Sequence, residues 1–167
     1  MFFYRYQTAI GPVGIAEAEC SITNLWFGTD LPRGFLSGSG KRPADERKTP
    51  LLAEAETQLR SYLSGALRSF DLPLSPEGTD FRQSVWRALL SITNGQTASY
   101  SDIAAAIGNP KGVRAVGLAN NRNPIAILIP CHRVIGKDGS LTGYAGGLAL
   151  KRHLLELEKT GYISRNS

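Results

Sequence analysis

Short runs of hydrophobic residues separated by turn residues fill the first 27 positions, a pattern typical of β-strands. The first run covers residues 2–9 and ends at the pair Gly11-Pro12. Two more runs follow over residues 13–16 and 22–27, with a polar turn between them. Because the links are short, we predict antiparallel hairpins. Residues 29–50 are rich in Gly, Pro and charge, and we expect a mobile loop there.

A helical pattern follows over residues 51–63. Leucine and alanine recur there at intervals of three or four, so they share one helix face, and Thr49 can cap the helix. We predict a short strand over residues 70–74 and a linker over residues 73–78. The sequence therefore predicts a small N-terminal α/β domain over residues 1–75.

The second half of the chain has mainly helical periodicity. Thr79 can cap a helix that runs through Leu90, and Ser101 can cap a short helix over residues 102–107, which Gly108 ends. A further helix over residues 111–120 completes a helix-turn-helix candidate. We expect a C-terminal domain over residues 79–163, and an α+β fold for the whole chain.

Composition and charge narrow the class of protein. The chain has 167 residues and a net charge of +5, but residues 1–78 carry 8 Lys and Arg against 9 Asp and Glu, whereas residues 79–167 carry 11 against 5. A basic surface of this kind suits a phosphate backbone, although a merely solvated surface is equally compatible. We expect no membrane span and no signal peptide, and two cysteines fit a reducing, cytoplasmic location.

A cysteine and a histidine follow a long apolar run. Residues 125–129 predict a buried strand that Pro130 ends, which places Cys131 at its mouth. Next to His132 and basic residues, a thiolate there is a candidate nucleophile, while the alternative is a buried small hydrophobe. A Cys-His hydrolase is also open, with Asn123, Glu156 or Glu158 orienting the histidine. The cysteines and histidines lack metal-ligand spacing, so we expect no metal site.

Several motifs in order resemble those of the O6-alkylguanine-DNA alkyltransferases, also called methylated-DNA–protein-cysteine methyltransferases. The segment Ile-Pro-Cys-His-Arg-Val at residues 129–134 is similar to their active-site motif. The other matching motifs lie at residues 114–117, 123–124, 142–147 and 151–158. The resemblance implies a ribonuclease H-like N-terminal domain, with a three-stranded antiparallel hairpin sheet plus a helix. It also implies a helical C-terminal domain with a winged helix-turn-helix.

For the chemistry, the resemblance implies a single-use transfer of the alkyl group from guanine O6 to Cys131. A water would link Cys131 to His132, which Glu158 would orient. The remaining catalytic candidates are Asn123 as a brace, Tyr144 as a donor to the departing guanine, and Lys151 as an anchor for the nearby loop. No cofactor is expected, because the damaged DNA is itself the alkyl donor.

For the partner, the resemblance implies double-stranded DNA carrying O6-alkylguanine, with O4-methylthymine as a further lesion. The base would be flipped out while the helix-turn-helix lies in the minor groove. Arg114 would fill the gap that the flipped base leaves in the duplex, and Tyr100 would push on the phosphate 3′ to that base. The other DNA-binding candidates are Ala115, Gly117, Ala119, Asn120, Arg122 and Arg133. The base-pocket candidates are Val134, Tyr144, Ala145 and Gly146. We expect a protein monomer, and side-by-side binding on DNA is compatible with this interpretation.

Two other classes of protein remain as alternatives. A non-catalytic binder of alkylated DNA would need no cysteine, whereas Cys131 is present. A helix-turn-helix regulator would not need Cys131, His132, Asn123 and Glu158 in register. The N-terminal domain has Cys20 and no histidine, which argues against the structural zinc of some family members.

Overall fold

The computed structural model describes residues 1–33, 35 and 44–161. The predicted hairpins are present as β1 (Phe2–Thr8), β2 (Gly11–Ala18) and β3 (Ser21–Phe27). A short fourth strand, β4 (Asp45–Glu46), pairs in parallel with β1, so the order is β3-β2-β1-β4. Part of the predicted 29–50 loop is therefore a sheet edge, while residues 34 and 36–43 lie outside the described residues.

The predicted first helix is present as α1 (Pro50–Leu63) and packs on the sheet. The Thr49 side chain accepts a hydrogen bond from the Leu52 amide, which caps the helix as expected. The strand predicted over residues 70–74 is reduced to one parallel bridge between Leu74 and Ile22. Prolines limit this segment to isolated contacts, since proline cannot donate to a strand ladder.

The described part of the C-terminal half, up to residue 161, contains four α-helices: α2 (Asp80–Leu90), α3 (Tyr100–Ala106), α4 (Val113–Asn121) and α5 (Leu148–Thr160). Thr79 caps α2 as predicted. The predicted Ser101 cap is wrong, because Ser99 caps α3 in a reciprocal capping box with Asp102. Two short strands, β5 (Ala98–Ser99) and β6 (Val134–Ile135), pair in parallel beside these helices.

Two buried hydrophobic clusters are present in the described residues, and the larger one runs through both halves of the chain, while the smaller one lies on the sheet around Phe3 and Trp26. Within the C-terminal half, Trp86 of α2 donates its indole N–H to the Ala119 carbonyl oxygen at 2.9 Å, which fixes α4 against α2. Across the halves, the Leu25 amide of β3 donates to the Pro124 carbonyl oxygen at 2.8 Å. The sheet edge therefore holds the start of the segment that leads to Cys131. No helix among the described residues is long and apolar enough to cross a membrane.

Candidate active site

The apolar segment 125–129 is buried as predicted, but the prediction of a strand is wrong. Instead, the Leu128 amide donates to the Ala126 carbonyl oxygen and the Ile129 amide to that of Ile125, which makes overlapping tight turns. Asn123 braces these turns from one side. Its amide nitrogen donates to the Ile129 carbonyl oxygen at 2.8 Å, and its side-chain oxygen accepts from the Ile125 amide at 3.0 Å.

Ile127 gives this turn its unusual shape. Its φ is 70°, in the left-handed region that a β-branched residue rarely adopts. Such a conformation costs on the order of 1–3 kcal/mol and persists only where the surroundings hold it. Ile127 is 1% exposed and Asn123 holds the neighbouring residues, so the surroundings supply that restraint. The turn brings the Ile127 backbone amide toward the Cys131 sulfur, where it favours the thiolate.

Cys131 begins a short 3-10 turn over Cys131–Arg133 and is 4% exposed. Its own amide donates to the Ile129 carbonyl oxygen at 2.8 Å, and the Asn120 side chain donates to its carbonyl oxygen at 3.3 Å. Burial raises the pKa of the Cys131 thiol, and hydrogen bonding by Asn123 and the charge of Lys151 oppose that rise. The resting thiol is therefore protonated and requires a base before it can attack.

His132 is fully buried next to the thiol-bearing residue. Its Nε2 lies 2.7 Å from Glu158 Oε1, so this nitrogen carries the proton and donates it to the carboxylate. Burial lowers the pKa of His132, although Glu158 acts in the opposite direction. Nδ1 is buried and has no hydrogen-bond partner among the described residues. The histidine is therefore a neutral imidazole with one lone pair free to accept a proton.

Glu158 of α5 is the charged centre of this group. One of its oxygens accepts from His132, from Arg133 Nη2 at 2.9 Å and from the Tyr62 hydroxyl at 2.6 Å. The other accepts from Arg133 Nε at 2.9 Å. Burial would raise the pKa of Glu158, but hydrogen bonds from His132, Arg133 and Tyr62 outweigh it and lower the pKa to about 2. The carboxylate is therefore ionised throughout the physiological range.

The structure contradicts the prediction that Arg133 contacts DNA. Its guanidinium is inside the protein, where it pairs with Glu158 and donates to the Ile92 carbonyl oxygen. Tyr62 is a further member of this cluster that no sequence motif predicts; it belongs to α1 and is 1% exposed. The sequence does offer one indication for Arg133. It lies two residues after a cysteine that follows an apolar run predicted to be buried, and a cation that is buried with it must be paired with an acid.

Lys151 is a second buried cation near Cys131. Its ammonium donates to the Val134 carbonyl oxygen at 2.6 Å and to that of Thr142 at 2.8 Å. These bonds join β6, which directly follows the 3-10 turn, to the loop over residues 142–147. Burial lowers the pKa of Lys151. The contacts agree with the expected anchoring of this loop.

The loop over residues 142–147 brings Tyr144 toward the site. The Tyr144 ring lies 6.4 Å from the His132 ring, and its hydroxyl is buried without a partner among the described residues. Burial raises the pKa of Tyr144, so the hydroxyl keeps its proton. A Cβ at Gly146 would lie 2.4 Å from the end of the Leu150 side chain and 3.1 Å from the Phe27 ring, so a larger residue there would require both side chains to move. Of the other two base-pocket candidates, Val134 is buried and Ala145 is exposed.

The predicted DNA-binding residues of α4 divide between two faces. Arg114 and Ala115 are exposed, and so is Arg122 at the end of the helix. Gly117 lies against the ring of Tyr100, whose hydroxyl donates to the Thr142 carbonyl oxygen at 3.1 Å.

Ala119 and Asn120 are 2% exposed and face the interior, which contradicts their assignment to the DNA surface. The helical period explains this difference, since both residues share a face with buried Val116. Leu118, which the sequence analysis did not single out, is 62% exposed on the outer face.

Two protein-family models match the chain and show its class of protein. A model described as the DNA-binding domain of 6-O-methylguanine DNA methyltransferase matches residues 80–160. A second model, described as the ribonuclease-like domain of 6-O-methylguanine DNA methyltransferase, matches residues 1–76. The chain therefore belongs to the 6-O-methylguanine DNA methyltransferase family.

Among individual proteins, the methylated-DNA–protein-cysteine methyltransferase of Methanosarcina barkeri is 52% identical over 163 residues, covering 95% of this chain and 98% of the relative. The constitutive enzyme of that name from Bacillus subtilis is 45% identical, with 96% and 97% covered. The Mycobacterium tuberculosis OGT structure in complex with DNA is 44% identical with a TM-score of 0.85, covering 97% of this chain and 95% of that one.

Proposed function

We propose that this protein repairs DNA by direct reversal, in which Cys131 accepts the alkyl group from O6 of guanine. The observation that best supports the proposal is the polar surroundings of a buried thiol. His132 Nδ1 and the Tyr144 hydroxyl are both buried without a partner among the described residues. Buried polar groups are normally paired, so these two near the thiol leave one acceptor for a proton and one donor for a substrate.

The two unpaired groups suit the two ends of a displacement reaction. The Cys131 proton passes to His132 Nδ1, through a bridging water as the family resemblance implies, and Glu158 stabilises the resulting imidazolium. The sulfur attacks the alkyl carbon, so an S–C bond forms while the bond from carbon to O6 breaks. The Tyr144 hydroxyl donates to the departing guanine, and the proton held by His132 is returned to the guanine ring.

The product explains why each molecule acts once. A thioether has no good leaving group, so water cannot regenerate the Cys131 thiol. The same displacement applies to O4-alkylated thymine. There the bond from the alkyl carbon to O4 breaks, and the leaving group is the thymine base, as guanine is in the first case. The reaction requires a reduced thiol, which supports the expected cytoplasmic location. No cofactor takes part in this scheme.

Double-stranded DNA is the proposed partner, bound through its minor groove. The exposed face of α4 presents Arg114 and Ala115, and small residues let a helix approach a narrow groove. Arg114 fills the gap left by the flipped base, while Tyr100 contacts the neighbouring phosphate. One copy of the chain contains every residue of the proposed site, which supports a monomer as the active unit.

A methyl-transfer assay tests the proposal. Duplex DNA containing O6-methylguanine is incubated with the protein, and the peptides are analysed by mass spectrometry. We expect one methyl group on the Cys131 peptide, and none after Cys131→Ser. Cys20→Ser is the matched control, because Cys20 is the other cysteine and is exposed. That variant is expected to transfer as well as wild type. An unmodified Cys131 peptide after full incubation would disprove the alkyl-transfer reaction.

A further inference from the structure

Tyr62 connects the N-terminal half to the proposed reaction centre. It lies near the end of α1, is 1% exposed, and its ring packs against Phe70 at 5.1 Å between centroids. Its hydroxyl lies 2.6 Å from Glu158 Oε1 and 3.3 Å from His132 Nε2. No other side chain from residues 1–76, within their described part, hydrogen-bonds to Cys131, His132, Arg133 or Glu158.

The direction of the Tyr62 hydrogen bond follows from the groups around it. A phenol has one proton, and the shorter contact is to the Glu158 carboxylate, which can only accept. Burial and the charge of Glu158 raise the pKa of Tyr62, so the hydroxyl remains a donor. The same carboxylate oxygen accepts from His132. Tyr62, His132 and the Arg133 guanidinium therefore share the negative charge on a single carboxylate oxygen.

We propose that Tyr62 is a positioning residue for the alkyl transfer, holding Glu158 Oε1 in place and setting how strongly Glu158 attracts the His132 proton. This inference rests on the proposed function, in which His132 is the base. A donor to Glu158 withdraws charge from the oxygen that faces His132. The protonated form of His132 is then less favoured, and the neutral form that can accept the Cys131 proton is available at lower pH.

Removal of the Tyr62 hydroxyl gives a signed prediction. Tyr62→Phe keeps the ring and its packing on Phe70 but removes the donor. More of the Glu158 charge then acts on His132, so the pKa of His132 rises. The acidic limb of the methyl-transfer rate is expected to move to higher pH by about half to one unit, the size that one hydrogen bond supports. The rate below the plateau is expected to fall about three- to tenfold.

Tyr6 provides a matched control in the same half of the molecule. It is 4% exposed, and its hydroxyl donates to the Leu52 carbonyl oxygen at 2.8 Å, so Tyr6→Phe also removes one buried hydrogen bond near α1. Tyr6 makes no hydrogen bond to Glu158 or His132 within the described structure. We expect Tyr6→Phe to leave the pH profile of methyl transfer unchanged, whatever it does to stability.

A second substitution tests the sign of the effect without loss of the hydroxyl. Incorporation of 3-fluorotyrosine at position 62 makes the phenol a stronger donor, so the acidic limb is expected to move to lower pH. All variants are measured as full-length protein on duplex DNA containing O6-methylguanine, with urea unfolding in parallel.

Each outcome has one interpretation. A wild-type protein that transfers no methyl group contradicts the proposed function itself. If wild type transfers but Tyr62→Phe has the same acidic limb, the positioning role is wrong. Equal shifts in Tyr62→Phe and Tyr6→Phe also overturn it, because they indicate a general effect of weakening the N-terminal half. A shift confined to Tyr62 supports it.

Discussion

The two halves of the molecule use charged residues differently. In residues 1–76 the ion pairs lie at the surface, as in Arg5 with Glu46, whose side chains are each 41% exposed. In residues 80–160 the ion pair of Arg133 with Glu158 is buried, with side chains 9% and 1% exposed. Surface pairs contribute little to stability, whereas a buried pair is costly to break. The C-terminal half therefore places a buried ion pair next to Cys131, whereas the N-terminal pair of Arg5 with Glu46 stays in contact with solvent.

The N-terminal half contributes two contacts that position the site around Cys131. Its sheet edge holds Pro124 through Leu25, and its helix α1 delivers Tyr62 to Glu158. Both contacts reach the reactive centre through backbone or a neutral side chain. The N-terminal half therefore positions the site without adding charge to it.

The largest expected effect comes from breaking the buried pair. Glu158→Gln leaves the Arg133 guanidinium buried without its counter-charge, and we expect a loss of about 3–5 kcal/mol in the free energy of unfolding. Glu46→Gln is the matched surface variant, since Glu46 pairs with Arg5 and both side chains are 41% exposed. Its loss is expected to be much smaller, because water screens an exposed pair. Urea unfolding of both variants checks the contrast, and equal losses would contradict it.

Arg114 tests whether the exposed face of α4 works on duplex DNA. Arg114→Ala is expected to slow methyl transfer from duplex DNA by about ten- to a hundredfold, because an extrahelical base costs a few kcal/mol to keep out of the stack. Transfer from free O6-benzylguanine needs no flipping and should change little. Rate constants for both substrates provide the measurement. Equal losses on the two substrates would exclude Arg114 from flipping.

The smallest expected effect is the dependence of the free energy of unfolding on acidic pH. The folded-state pKa of His132 lies below its ordinary value of 6.5, so below that pH the unfolded chain binds a proton that the folded protein does not. The pKa of Glu158 is lowered from 4.5 to about 2, so its contribution is present above 4.5 and is lost as the pH falls toward 2. Each group can lower the free energy of unfolding by at most about 1.4 kcal/mol per pH unit.

Urea unfolding across this pH range measures that slope. His132→Gln is expected to flatten the decline just below pH 6.5, with His153→Gln as the variant at the other histidine. A wild-type slope retained in His132→Gln would contradict the assignment to His132.

Local signals explain which elements were predictable. The hairpins, α1 and α2 follow from periodicity and from cap residues within a few positions of each helix start. The family motifs predicted Cys131, His132, Asn123 and Glu158 as site residues, and the structure places these residues in one cluster. Their chemical roles remain predictions that the assays above address.

Features that depend on contacts between distant parts of the chain could not be predicted from local sequence patterns. An apolar run such as residues 125–129 is equally compatible with a buried strand and a buried turn, and isoleucine gives no hint of a positive φ at position 127. Arg133 shows its charge in the sequence but not its partner, which lies 25 residues away. Tyr62 is 96 residues from Glu158 and sits beside the leucine face of α1, so nothing nearby marks it.

The burial of Arg133 and Lys151 changes the electrostatics of DNA association. Residues 110–152 contain seven basic side chains, but only those at the surface can displace condensed counterions from DNA. The exposed ones are Lys111, Arg114, Arg122, Lys137 and Arg152. At about 0.9 counterions for each phosphate neutralised, this segment supports a salt-dependence slope no steeper than about −4.5 in log K. Two of the seven basic side chains therefore serve the interior, and DNA association is less sensitive to ionic strength than the sequence charge implies.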